Sequence, residues 1–191
     1  RDGEDPTRTL AAHEAALLAL RRPEATEEGW VAIGDTGDEL VSDYHTREKA
    51  GTRTSGLSTG FADLDDITSG FQPADLIIFG GRPSMGKTAF LCNTMLNIAR
   101  KGGAVGMFSM EMSRKAITRR MLCSIAQVDS ERFRNGLLDA NEARRILDAR
   151  QTLHSLPIYL DDKVGLTVTE MSRRVRKLQA SRDNLRMIAV D

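Results

Sequence analysis

Gly81-Arg82-Pro83-Ser84-Met85-Gly86-Lys87-Thr88 is the stretch from which the rest of the chain is read. It fits the pattern G-x-x-x-x-G-K-[ST], a phosphate-binding P-loop. Before it, Leu76-Ile77-Ile78-Phe79 is a short apolar, partly β-branched run with the pattern of a buried parallel strand. After it, Phe90, Leu91, Thr94, Met95 and Ile98 recur on one side of a helix. A strand, a glycine loop and a helix N-terminus in that order aim several backbone N–H groups at one point. The helix dipole adds partial positive charge there, so a phosphate chain is held with little further help. Gly81 and Gly86 admit the turn and the close approach. Lys87 is placed to reach the β- and γ-phosphates of ATP, and the Thr88 hydroxyl to ligate Mg²⁺.

Downstream, Gly102-Gly103 turns the chain into a second strand, Ala104 to Ser109, which leads to Glu111. Ser113 is a good N-cap for a helix with Ile117, Met121 and Ile125 inward. A brief helix spans 130–136 and ends at Gly136, and another covers about 140–154 with Ala143, Ile146 or Leu147, and Leu153 inward. Ile158-Tyr159-Leu160 is a third strand. Thr167 and Glu170 form a capping box for a helix carrying Val168, Met171, Val175 and Leu178. The run Met187-Ile188-Ala189-Val190 is a strand that ends in Asp191. Strands alternating with helices predict an α/β fold, a P-loop domain with a mostly parallel sheet and helices on both faces.

Upstream, Leu10, His13, Leu17 and Leu20 form a stripe at helical spacing, closed by Pro23. A lone amphipathic helix of this length is marginal, so it docks either on its own domain or on another subunit. Residues 24–30 read as a linker. A second helix is expected from Asp35 or Thr36 to about Lys49, with Leu40, Val41 and Tyr44 inward, and 52–56 as a hinge. Phe61, Leu64 and Thr68 share the face of a further short helix stopped by Gly70. The domain boundary falls near residue 50: 1–50 is the end of an N-terminal region with a linker, and 51–191 the ATPase domain.

The 191 residues carry 27 basic and 27 acidic side chains, so no global basicity argues for nucleic acid. Cys92 and Cys123 fall in helical patterns and read as small core residues of a reducing compartment. With no apolar run of transmembrane length and no signal peptide, no membrane is expected and the cytoplasm is the expected location.

An apolar strand ending in Asp is the Walker B pattern, and ligands of open α/β sheets sit beyond the carboxyl ends of the strands. Asp191 is therefore expected beside Thr88, supporting Mg²⁺. Glu111, at the same edge, is either the general base that activates water or a solvated residue at a helix start. Asp161-Asp162 closes the third strand as a local cap or a loop-ordering pair. Arg173, Arg174, Arg176 and Lys177 crowd one helix, as a solvated face or else a phosphate-backbone contact or subunit interface, and His13, His45 and His154 are too scattered for a metal site.

From Gly56 to Asp191 the chain resembles the replicative DNA helicases of the DnaB type, hexameric motors with a RecA-like core. The resemblance rests on Gly56, Thr59-Gly60-Phe61, Leu64-Asp65, Thr68 and Gly70, on Arg82 to Thr88, and on Phe108-Ser109-Met110-Glu111-Met112. It extends to Ile158 through Asp162, Gly165-Leu166-Thr167, Glu170 and Asp191. Gly80-Gly81 stands where that family often has alanines. The resemblance implies that Glu111 is the catalytic glutamate, Lys87 and Thr88 bind Mg-ATP, and Asp191 supports the metal. It further implies a homo-hexamer around single-stranded DNA, a linker helix packed on the adjacent subunit, and a primase and a helicase loader as partners. DNA-binding loops, a γ-phosphate sensor and an arginine finger are implied beyond Asp191. Two other readings are a nucleotide-binding and subunit-docking module without motor activity, and a RecA-like recombination ATPase, which the Pro-Ser-Met and Met-Glu-Met spellings disfavour.

Overall fold

The computed structural model describes residues 33–50 and 54–191. The chain divides into two units, Arg1–Gly51 and Thr52–Asp191. In the first, helix α1 runs over Ile33–Ala50. It is two residues longer at its start than its sequence pattern predicts. Leu40, Val41 and Tyr44, expected inward, are each more than half exposed. The expected Leu10–Leu20 helix, the 24–30 linker and the first two residues of the 52–56 hinge lie outside the described residues.

The second unit is built on three parallel strands. These are β1 (Ala104–Phe108), β2 (Ile158–Asp161) and β3 (Leu185–Val190), in the order β2-β1-β3. Between and around them lie α2 (Ala62–Thr68), α3 (Lys87–Arg100), α4 (Arg114–Ala126), α5 (Ser130–Arg134), α6 (Ala140–Ser155) and α7 (Val168–Ser181). Val105 pairs in register with Ile158 on one side and Met187 on the other, and Met107 with Leu160 and Ala189. Because side chains alternate along a strand, these residues line one face. They form the main core with Cys92, Met95, Leu96, Ile98 and Ala99 of α3 and Ile117 and Met121 of α4. On the opposite face, a Cβ on Gly106 would lie 2.7 Å from Ile188 Cδ1 and 3.1 Å from Leu178 Cδ2 of α7. Glycine there lets α7 lie close to the sheet. Helices thus cover both faces, and β1, flanked by strands, is buried at all five positions.

The helix ends follow their capping chemistry. Ser113 Oγ accepts from Ala116 N–H at 3.4 Å at the start of α4. Thr167 and Glu170 close the predicted capping box of α7, and Asp139 and Glu142 close one on α6 that the sequence reading did not single out. Inside α6 the buried side chains are Glu142, Ile146 and Ala149, so Ala143 and Leu147 face outward. Glu142 is tolerated there because Arg132 pairs with it and its carboxylate accepts from Asp139 N–H. Val168, expected inward on α7, is 79% exposed, since it sits at the first turn before the helix reaches the sheet.

One expected element does not form. Leu76-Ile77-Ile78-Phe79 has no strand assignment, and Leu76 and Ile78 are 87% and 84% exposed. A parallel strand exists only through ladder bonds to a neighbour, and among the described residues none pairs with this segment. Its place is set instead by aromatic stacking. Phe79 lies 4.4 Å from Phe90 of α3, which lies 5.1 Å from Phe61.

Candidate active site

The P-loop turn leads directly into α3. Gly86 is its N-cap, at φ 90°, a left-handed conformation that glycine adopts without steric cost. Having no side chain, Gly86 leaves the first N–H groups of α3 uncapped by the chain and turned toward an incoming anion. The turn closes through Met85 N–H to Arg82 C=O at 3.3 Å, and Phe90 N–H donates to Gly86 C=O at 2.9 Å. Residues 81–86 are exposed. Lys87 Nζ donates to Gly81 C=O at 3.2 Å, which places the ammonium over the mouth of the loop.

Thr88, in the first turn of α3, meets Asp191 at the end of β3. Its Oγ1 donates to Asp191 Oδ2 at 3.0 Å, with Oδ1 at 3.3 Å. Two residues 103 positions apart are thus joined as the sequence reading requires. A hydroxyl and a carboxylate are hard oxygen donors, and Mg²⁺ takes few protein ligands beside phosphate oxygens and water. The residues present therefore fit that ion. Among the described residues no cluster of three His, Cys, Asp or Glu side chains forms a different metal site.

Glu111 lies on the loop between β1 and α4, before the helix rather than in it. Its side chain is exposed, and among the described residues its carboxylate has no hydrogen bond or ion pair. The loop itself is tied to Asp191: Met110 N–H donates to Asp191 C=O at 2.8 Å, and Asp191 N–H to Phe108 C=O at 3.0 Å. Glu111, Thr88 and Asp191 so share the carboxyl edge of the sheet.

The acidic pair Asp161-Asp162 serves as both a cap and a loop tie. Asp161 C=O accepts from Ser109 N–H at 2.9 Å, and its carboxylate pairs with Arg174. Asp162 Oδ2 accepts from Arg114 N–H at 3.0 Å at the start of α4. That backbone bond, with the Arg114 charge beside it, holds the Asp162 carboxyl below its ordinary value. The pairing also takes Arg174 out of the solvated run, while Arg173, Arg176 and Lys177 form no ion pair among the described residues. Cys92, one turn beyond Thr88, is 1% exposed, and burial pushes its thiol up to about 11. Cys123 is also buried, and burial likewise pushes its thiol up.

Two residues of the quoted motifs were given no role by the sequence, and the structure supplies one for each. Ser109, 2% exposed, clips the Glu111 loop through Met112. Asp65, 7% exposed, gathers the segment leading into the core. It accepts from Thr59 N–H at 2.8 Å, Thr59 Oγ1 at 2.7 Å, Ser58 Oγ at 2.6 Å and Gly60 N–H at 3.3 Å. Burial alone pushes the Asp65 carboxyl up, but these donors together outweigh it and hold it below its usual range. The readable signal for both was a short polar side chain at an element end, where it bonds nearby backbone.

Residues 56–191 match the family described as the DnaB-like helicase C terminal domain. The chain is 41% identical over 172 residues to a replicative DNA helicase of Nostoc sp., covering 88% of this chain and 19% of that protein. It is 33% identical over 189 residues to one of Rickettsia prowazekii, covering 93% of this chain and 39% of that protein. It therefore spans between about a fifth and two fifths of the length of these relatives. Two solved structures share the fold. One, described as an ATPase domain, superposes with a TM-score of 0.73 at 24% identity, covering 81% of this chain and 56% of that one. The other, a DnaB-like replicative helicase described with its interactions with primase, gives 0.71 at 22% identity, covering 98% of this chain and 44% of that one.

Proposed function

Because this chain belongs to the family of the DnaB-like helicase C-terminal domain, we propose that it is the nucleotide-hydrolysing part of a replicative DNA helicase. In this reading it couples ATP hydrolysis to movement along single-stranded DNA and to duplex unwinding. The observation that carries the proposal is the Thr88–Asp191 hydrogen bond, which joins the P-loop helix to the Walker B strand end at 3.0 Å. ATP binds with its phosphates over the uncapped N-terminus of α3. Lys87 and the loop N–H groups hold the β- and γ-phosphate charge. Thr88 and Asp191 hold Mg²⁺, which when bound neutralises charge on the phosphate oxygens. Water attacks the γ-phosphorus, Glu111 takes the proton that the water loses, and the bond to the β–γ bridging oxygen breaks to release ADP.

The assembly expected of this family goes with the proposal: a ring of six subunits around DNA, with primase and a loader as partners, in the cytoplasm. No helix among the described residues is long and apolar enough to cross a membrane. The Leu10–Leu20 segment is the linker helix of this reading. An open groove of about 770 Å³ between α4 and α5 supports a seat for it on a neighbouring subunit. Met112, Cys123 and Val128 give the groove an apolar floor, Arg119 and Arg120 also line it, and Arg134 pairs with Glu131 there.

Single-turnover and steady-state ATPase assays on the full-length helicase test the site. Lys87→Ala is expected to lose nucleotide-driven unwinding. Glu111→Gln is expected to bind ATP normally and hydrolyse it about 10²–10⁴-fold more slowly. Wild-type turnover in Glu111→Gln removes that residue from the mechanism.

A further inference from the structure

A general base must be held within a fraction of an ångström of its water, since a displacement of about 1 Å costs on the order of 10²-fold in rate. Nothing among the described residues holds the Glu111 carboxylate by its own oxygens. Its position is inherited from the backbone of the loop, so what fixes that backbone matters.

The entry to the loop is fixed by main-chain bonds, Ser109 N–H to Asp161 C=O at 2.9 Å and Met110 N–H to Asp191 C=O at 2.8 Å. Its exit is fixed at Arg114, whose N–H meets Asp162 Oδ2 at 3.0 Å. Between these anchors one side chain ties the loop to itself. Ser109 Oγ donates to Met112 C=O at 2.7 Å and accepts from Met112 N–H at 3.3 Å. The two bonds close a ring across Met110 and Glu111. At 2% exposure this hydroxyl meets almost no water that could compete for either bond.

The geometry points to Ser109 as the positioning residue of Glu111. Its buried hydroxyl sets the Met110–Met112 turn and so presents the carboxylate at the Thr88–Asp191 edge. This inference rests on the reading of Glu111 as the base. The Ser109 hydroxyl bonds the Met112 backbone and acts on Glu111 through the loop.

The test uses the full-length helicase, with S109A, S109C, E111Q and the double variant S109A/E111Q. DNA-stimulated ATP hydrolysis and binding of a non-hydrolysable ATP analogue are measured for each. S109C keeps the side-chain bulk with a weak hydrogen-bonding group, and stands in if S109A fails to assemble. The expected result is a kcat lowered about 10-fold or more in S109A and S109C, with KM and analogue binding within about twofold of wild type. In the E111Q background S109A is expected to cost nothing further, because no base remains to be misplaced. Wild-type kcat in S109A and S109C beside an impaired E111Q overturns the positioning role and leaves Glu111 in place. An equal loss in both backgrounds, or nucleotide binding lost in proportion to rate, also overturns it, since a purely structural role moves those quantities. Wild-type turnover in E111Q removes the base and the inference with it.

Discussion

Asp65 shows how one carboxylate organises a loop. Four donors from Ser58, Thr59 and Gly60 converge on it, and Asn97 Nδ2 of α3 donates to Thr59 C=O at 3.0 Å, binding that loop to the P-loop helix. Replacing Asp65 with Asn keeps the shape and loses the charge. It is expected to destabilise the fold by about 2 kcal/mol at neutral pH, the scale of hydrogen bonds to a charged group left poorly met. The pH dependence has a definite sign. The folded-state pKa lies below the ordinary 3.8, so the stabilisation is present above 3.8 and lost as pH falls through the folded value. Urea denaturation of wild type and D65N should therefore differ at pH 7 and converge in strong acid. A constant difference across that range would show that the charge contributes nothing.

Among the helices, α6 depends most visibly on its first turn. Asp139 Oδ1 accepts from Glu142 N–H at 2.8 Å, and Glu142 Oε2 accepts from Asp139 N–H at 3.0 Å while Oε1 pairs with Arg132 of α5. The cap thus also fixes the Glu142 rotamer that joins the two helices. Asp139→Ala is expected to cost about 1 kcal/mol in chemical denaturation, typical of a lost N-cap. A cost near zero would mean that the Arg132 pairing alone orders this end. The strands teach a different lesson. β1 and Leu76–Phe79 are both short apolar runs with the pattern of buried strands, yet only β1 has partners on both edges. Hydrophobic pattern states what a segment can bury, while pairing depends on what lies alongside.

Over the whole molecule, the site is the meeting of two ends far apart in sequence, the start of α3 and the end of β3. Both are placed by one core, since Met95 and Ile98 of α3 pack on the face of the sheet that carries Met187 and Ala189. If Thr88 and Asp191 act on one Mg-nucleotide, their substitutions should not add. Thr88→Ala and Asp191→Asn are each expected to weaken Mg-ATP binding about tenfold or more, and the double variant by clearly less than the product. Isothermal titration with and without Mg²⁺ reads this directly. Strict additivity, or equal effects without Mg²⁺, would separate the two residues from a shared metal.

By itself the sequence determined the glycine turn that opens α3, the strand that ends at Asp191 beside Thr88, the caps at Ser113 and Thr167, and the strand-helix alternation that makes a parallel sheet. Each of these is a local rule: a glycine where φ must be positive, a hydroxyl before a helix, apolar residues at a fixed period. Only the tertiary structure decided that Leu76–Phe79 stays outside the sheet, that Val168, Ala143 and the α1 stripe face outward, and that Arg174 leaves its basic run for Asp161. It alone showed Ser109 clipping the loop of Glu111 and Asp65 gathering the lead-in. The reason is common to these cases. Whether a side chain is buried, paired or bonded depends on which element packs beside it, and that neighbour is chosen by the fold and not by the residues next in the chain.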